Sequence, residues 1–540
     1  MKSIIVLGAF ALLFCGFRVS SRAAQISPEG VWVGEFKLAN QSTFIKVNYK
    51  TEREGIKATI DLPAFGSSLT STDLKRVSFE SSRVHFELDG GSVTLVFDGQ
   101  LKSNEISGEV RQGEARGTFQ LLRLVIIEPQ LLAKYYGSYQ VQPNRFIWIG
   151  KFGEFGADQL FLDSGSGRFG PIYPSSETTF FSGQAIMSPF FPVDVNIRFT
   201  KDKLGQVTGL TYSLSGLPDV TATKISLKRE EVAFHNGDVT LAGKLTAPLS
   251  KGPHPAVILI HGSGPEDRDY MGPWIDFFAR HGVAVLSYDK RGVRDSTGDW
   301  KRASFEDLAE DVLAGVQLLK RRKNVNPKQI GLWAISQGGW IAPLVASRSK
   351  DIAFIILHAG AGVPVAQNGL MSIEYELRAY GFPEEEIKQA LAYYKLNDDV
   401  TRSGEGWNKL QEAYQQAKAR NAEWLIEEPQ PKDFWFRQMY RRVMDFDPLP
   451  LWEKVTCPVL AFFGELDWTV PPVANRMALD NALRRAGNKD YTIIVLPKAN
   501  HLFLQAETGV RTEYPHLKNF VTDYFNTMAD WLLKRVNVKT

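Results

Sequence analysis

QIGLWAISQGGWIAPLVA, residues 329–346, carries an apolar run from Ile330 to Ile335 that ends on Ser336. Gln337, Gly338 and Gly339 follow, then an alternation of small and apolar residues. A short continuous apolar run reads as a strand buried on both faces, and the stretch after the glycines reads as a helix. Ser336 therefore stands at a sharp strand-to-helix turn. The chain doubles back there, so the residues two before and two after the apex must be small; Ala334 and Gly338 meet that need, and Gly339 adds clearance. A serine that merely caps a helix fits the same five residues, so the surroundings must separate the two readings.

From about residue 229 onward, apolar β runs alternate with helical segments. The runs are 256–262, 283–289, 330–335, 354–360, 459–464 and 491–497. Helical stretches are expected near Trp274–Arg280 and over Phe305–Arg321, where Leu308, Val312, Val316 and Leu319 keep a helical period. Strands buried on both faces and separated by helices make a mostly parallel sheet covered by helices, an α/β fold. Residues 364–448 interrupt the rhythm; they are helical, rich in Gln, Glu, Tyr and Trp, and read as a lid inserted between two strands. The lid aromatics Trp407, Trp424, Trp435 and Phe436 read mostly as its packing.

A serine hydroxyl is a weak nucleophile at neutral pH and needs a base to take its proton. In a fold of this kind the base is a histidine late in the chain, oriented by an acid on an earlier strand loop, in the order Ser, Asp/Glu, His. Asp467 follows the 459–464 strand by three residues, and His501 lies just beyond the last strand. Ser336, Asp467 and His501 are the expected catalytic residues. Glu465 is the rival acid and His358 the rival base, though His358 precedes the acid and reads as structural. His261, His281 and His516 are weaker candidates; His281, before Gly282 at a helix end, is expected to complement the helix dipole. An oxyanion needs donors too. The Gln337 N–H at the helix start is one, and the loop after the 256–262 strand supplies the other, from Ser263 or its neighbour Gly264.

These features resemble the α/β-hydrolase superfamily over residues 229–540. The resemblance rests on His261-Gly262-Ser263-Gly264-Pro265 with Arg268-Asp269, on YDKRGVRDS (288–296), on Ser336-Gln337-Gly338-Gly339, and on Asp467 and His501. It is greatest to bacterial carboxylesterases related to the serine aminopeptidase and dienelactone-hydrolase-like groups. Two positions depart from the family pattern: Ala334 where Gly is usual, and Arg294 where the YDKRG segment usually continues with Gly. The resemblance implies that Asp289–Ser296 shapes the site without direct chemistry.

Residues 26–228 read differently. Val84, Phe86 and Leu88 alternate, Asp89-Gly90-Gly91 turns, and Val93, Leu95 and Phe97 alternate again; Val195, Ile197 and Phe199 repeat the pattern. Two small antiparallel barrels or sandwiches are expected, over 26–128 and 129–228, ahead of a catalytic domain at 229–540. The second loosely resembles β modules appended to some exported serine hydrolases. Its GSGRFG places Gly165, Gly167 and Gly170 in a GxGxxG pattern, but Pro171 follows and no helix opens, so a loop is expected rather than a dinucleotide site.

The 540 residues, 44% hydrophobic and 23% charged, exceed one ordinary domain. Lys2, an apolar run from Ile4 to Phe17, and small residues at Ser21 and Ala23 read as an export signal cleaved after Ala23. Cys15 follows Phe14, too large for a good lipoprotein site. Cleavage lowers the formal charge from +3 to 0, which leaves no global field for nucleic acid, and leaves Cys457 as the one cysteine, expected to be a buried thiol. No zinc, phosphate-loop or other cofactor pattern is present, and no cofactor is expected. The expected activity is hydrolysis of a small carboxylic ester by an exported, periplasmic or extracellular enzyme with no membrane-spanning segment once the leader is removed. The alternatives are a peptidase of the same fold, with lid acids such as Glu374 and Glu376 holding an amine, and a glycan- or cell-wall-binding protein with a degenerate hydrolase domain. The β modules could also hold a polymer or glycan beside an active enzyme, with Trp148 or Tyr173 as a platform, although aromatics at strand spacing usually pack in cores.

Overall fold

The computed structural model describes residues 27–53, 55–64, 67–90, 93–155, 159–165, 167–425 and 428–538. The expected leader, with Cys15, and Gly91 of the expected hairpin turn lie outside these.

Residues 30–123 form a nine-stranded antiparallel sheet. Its two edges are the consecutive strands Ser67–Asp73 and Lys75–Glu80, so the sheet curls around one core. Phe86 and Phe97 stack there with centroids 4.5 Å apart, and Phe36 and Phe119 meet them edge-on. Val84, Phe86 and Leu88 point inward as their alternation requires. Val93 does not: it precedes the strand Thr94–Lys102 and is 42% exposed.

Residues 137–224 close into an eight-stranded barrel. Val195, Ile197 and Phe199 alternate inward. Gly165 and Gly167 have φ of +61° and +99° in a turn that leads into the strand Phe169–Pro174, so no helix N-terminus is available to a phosphate. Trp148 and Tyr173 are buried and offer no platform. Tyr173 and Phe190 pack against Phe44 of the first sheet, and the Phe190 N–H donates to the buried Glu35 carboxylate, which joins the two β units.

The rest is an eight-stranded sheet of β1 (Leu227–Asn236), β2 (Val239–Pro248), β3 (His254–Ile260), β4 (Ala284–Tyr288), β5 (Val325–Ile335), β6 (Ile352–His358), β7 (Val459–Gly464) and β8 (Tyr491–Leu496). The spatial order is β1-β2-β4-β3-β5-β6-β7-β8, antiparallel through β1 and β2 and parallel from β4 onward. Period-two alternation divides the strands between two cores. Ala256, Ile258, Ile260, Leu332 and Ala334 face one, with the helix Phe305–Lys320. Val257, Leu259, Trp333 and Ile335 face the other, with the helices Gly272–Arg280 and Tyr524–Leu533. Helices from Val365–Ala379 to Trp435–Val443 lie between β6 and β7.

The second core also takes in Trp148, Phe152, Phe161 and Phe169 of the barrel. Each such side chain, fully buried, contributes about 1.5–3 kcal/mol. The barrel N–H groups of Phe169, Ile186 and Met187 donate to the carbonyls of Lys518, Leu517 and Pro515. Barrel and α/β domain therefore share a core and a hydrogen-bonded seam.

Candidate active site

The C-terminal ends of β3, β5, β7 and β8 converge on one edge of the sheet. Ser336 follows β5 with φ +53°, a left-handed conformation that a serine adopts only under strain. Its N–H donates to the His358 carbonyl at 3.0 Å, and its carbonyl accepts from the Gly339 N–H at 2.9 Å. A Cβ on Gly338 would lie 3.0 Å from the Ala334 Cβ and 3.1 Å from the Ile260 oxygen; one on Gly339 would lie 2.5 Å from the Ala361 nitrogen. The crossing is tight enough to demand glycine at 339 and a small residue at 334, where alanine fits.

Asp467 is fully buried. Its Oδ1 accepts from the Val470 N–H at 2.9 Å, and its Oδ2 accepts from His501 Nδ1 at 2.9 Å. Two features hold this pair. Gly464 brings the loops after β7 and β8 together, since a Cβ there would lie 2.5 Å from the carbonyl oxygens of Ala499 and Asn500. Asn500 Oδ1 accepts from the N–H groups of Leu502 and Leu504, at 3.0 and 2.9 Å, which shapes the turn that carries His501. Burial draws the His501 pKa down, but the charge and hydrogen bond of Asp467, with a smaller push from Glu154, leave it above the ordinary histidine value.

The rival groups are occupied elsewhere. The Glu465 side chain is exposed and accepts from the Lys498 N–H at 2.8 Å. His358 is buried; the Tyr524 hydroxyl accepts from Trp274 Nε1 and shares a hydrogen bond with His358 Nδ1, both at 2.8 Å. His261 Nε2 donates to the Tyr288 carbonyl at 2.7 Å, and burial pushes its pKa down to about 3. His281 departs from expectation. It does cap its helix, with Nδ1 against the Phe277 carbonyl at 2.7 Å, but burial lowers its pKa to about 4, so the ring is neutral and donates a hydrogen bond rather than a charge. His516 bonds to the barrel's Ser188 carbonyl. Among the lid acids, Glu374 pairs with Arg378 and Glu376 with Arg511. Cys457 is half-buried rather than buried, and burial raises its pKa to about 12.

The Gln337 and Ser263 N–H groups have no protein acceptor among the described residues. Gly264 differs from its neighbour, because its N–H and that of Gly262 face the buried Glu266 carboxylate. Around this loop the 288–296 segment forms a charged lattice. Arg268 holds Asp289 through Nε and a terminal nitrogen, at 3.0 and 2.6 Å, and Arg291 holds Asp311 in the same way at 2.7 Å. Arg294 has φ +48° and pairs with Asp269 at 2.9 Å.

Residues 257–512 match the Alpha/beta hydrolase family. The C-terminal domain is an α/β hydrolase. A curated relative, esterase EstD of Thermotoga maritima, is 26% identical over 355 residues, 63% of this chain and 77% of the relative. That share of the chain exceeds the length of residues 229–540, so the similarity reaches back into the barrel. Thiohydrolase aneE of Aspergillus aculeatus is 30% identical over 129 residues, 23% of this chain and 40% of that protein. Among solved structures, the α/β hydrolase GrgF from Penicillium sp. is 21% identical, with a TM-score of 0.38, 57% of this chain covered and 99% of that one.

Glu154 gave no sequence signal. It lies in the barrel segment Gly153–Phe155, accepts from the Tyr270 hydroxyl of the hydrolase domain, and raises the pKa of His501. Lys290, within YDKRG, and Glu266 carry no sequence signal of their own for a role at the site. Both are buried under the Gly262–Gly264 loop of the hydrolase.

Proposed function

We propose that this α/β hydrolase is an exported serine carboxylesterase. Ser336 attacks the ester carbonyl while His501 Nε2 takes its proton. The carbonyl carbon becomes tetrahedral, and its oxyanion accepts from the Gln337 and Ser263 N–H groups. His501 then gives the proton to the leaving alcohol as the C–O bond breaks, which leaves an acyl-Ser336. Water repeats the cycle, with His501 as base, and the acid departs. Asp467 fixes the imidazole tautomer that keeps Nε2 free and stabilises the imidazolium. The observation that carries this reading is the hydrogen bond between His501 and the fully buried Asp467, at the same C-terminal sheet edge as a serine held at positive φ.

The preference for esters rests on the likeness to an esterase that runs past the hydrolase domain into the barrel. Export rests on the N-terminal sequence alone. The test is turnover of p-nitrophenyl acetate and butyrate beside aminoacyl p-nitroanilides, by the protein and by Ser336→Ala. The reading expects ester cleavage that falls on the order of 10⁶-fold in the variant. Anilide cleavage as fast as ester cleavage would make the protein a peptidase. Turnover of neither substrate would count against both.

A further inference from the structure

Lys290 lies two residues beyond β4, only 2% exposed, yet among the described residues none of its hydrogen bonds goes to a carboxylate. An ammonium group has three donors. Here they meet three neutral oxygens: the Gly262 carbonyl at 2.6 Å, the Gly264 carbonyl at 3.1 Å and Gln337 Oε1 at 3.3 Å. The first two belong to the loop after β3 and the third to the turn after β5. One cation thus ties together the two segments that carry the candidate oxyanion donors.

The peptide geometry gives this tie a direction. Gly262–Ser263 is a trans peptide, because the cis bonds among the described residues all precede proline elsewhere. In a trans peptide the C=O and the next N–H point in opposite directions. With the Gly262 oxygen held on Lys290, the Ser263 N–H must point away from it, and among the described residues it has no protein acceptor. A positive charge on the carbonyl end also polarises the amide, which makes its N–H a stronger donor.

Glu266 balances the charge. Its carboxylate is 5% exposed, and Gly262 leaves it room, since a Cβ there would lie 2.7 Å from Oε1. Burial lowers the Lys290 pKa and raises that of Glu266, and each opposes the other's shift. A buried cation held on carbonyls costs desolvation energy that an apolar side chain of the same length would not. Its tie to the turn that carries Ser336, through Gln337, calls for a role.

We propose that Lys290 is the positioning residue of the oxyanion hole: by binding the Gly262 and Gly264 carbonyls and the Gln337 side chain, it sets and polarises the Ser263 N–H and holds it in register with the Gln337 N–H. The inference rests on the serine-esterase reading above. It gives Lys290 no proton to transfer and no contact with substrate.

The experiment compares wild type, Lys290→Met, the charge-balanced pair Lys290→Met/Glu266→Gln, and Ser336→Ala on p-nitrophenyl acetate. Each is also titrated with an aliphatic trifluoromethyl ketone, whose hemiketal adduct places an oxyanion in the hole. The double variant removes both buried charges, so it keeps the test open where the single variant does not fold. The inference expects kcat to fall about 10- to 100-fold, less than the 10²–10³ for a lost donor, with KM within about twofold. The Ki of the ketone should rise by the same factor as kcat/KM falls. A folded variant with kcat and Ki both within twofold of wild type, while Ser336→Ala is inactive, would overturn it. So would a fall in kcat with Ki unchanged, because a merely structural role moves the two separately. Activity surviving in Ser336→Ala would instead remove the esterase reading, and this inference with it.

Discussion

Glu154 of the barrel and Tyr270 of the hydrolase domain are joined at the rim of the site: the Tyr270 hydroxyl donates to the Glu154 carboxylate, and the Gly153 N–H donates to the Tyr270 carbonyl at 3.2 Å. Phe152 continues the contact as an antiparallel bridge to Met271. The barrel therefore borders the candidate site, and Glu154 raises the pKa of His501.

A general base must be neutral, so with His501 as the proposed base the acid limb of kcat/KM should follow its pKa in the free enzyme. That limb should lie above the ordinary histidine value in the wild type. Glu154→Gln removes a charge that favours imidazolium, so the His501 pKa falls and the limb moves toward lower pH. A pH–rate profile of both proteins checks this, and an unmoved limb would separate Glu154 from the site.

Asp467→Asn keeps the shape of the acid but loses the charge, and it invites the wrong imidazole tautomer. We expect kcat to fall by about 10⁴-fold. Adding His501→Ala should cost little more, because the two act as a unit. Additive losses in kcat for the double variant would contradict the shared role.

The elbow should tolerate no growth at its second glycine. Gly339→Ala places a Cβ 2.5 Å from a backbone nitrogen, which no side-chain rotation relieves. Overpacking of this kind costs about 1–3 kcal/mol and shifts Ser336. Chemical denaturation should show the loss, and ester turnover should fall further than the stability does. Wild-type stability in Gly339→Ala would mean that the crossing is looser than described.

The α/β domain was legible because its signals are local. Buried strands such as 256–260 appear as unbroken apolar runs, and the order Ser336, Asp467, His501 follows strand ends that can be counted along the chain. What stayed hidden depends on contacts between distant segments. Glu154 sits in a β module far upstream of His501, and only the shared core brings it to the site. The His281 ring reads as a cation at a helix end, but Phe146 of the barrel covers it, and burial leaves it neutral. Lys290 was visible within YDKRG, but a lysine after an aspartate reads as a solvated charge until the carbonyls around it are known. Val93 fitted a period of two and still lies outside its strand, because alternation alone does not mark where pairing begins.

Arg294 adopts the left-handed backbone that glycine favours. Its ion pairs with Asp269 and Asp267 are at the surface, where such pairs contribute about 0–1 kcal/mol. Arg294→Gly trades those pairs for relief of the strained φ. Stability should change by less than about 1 kcal/mol and kcat by less than about twofold. A larger loss of activity would place the guanidinium in contact with substrate.

In the proposed mechanism Ser336 is a nucleophile made reactive by His501. The most direct measurement is peptide mass analysis after brief treatment with a fluorophosphonate, on wild type, Ser336→Ala and His501→Ala. One phosphonyl group is expected on the peptide that contains Ser336, none there in Ser336→Ala, and labelling slowed by orders of magnitude in His501→Ala. Labelling of another residue, or equal rates with and without His501, would contradict it.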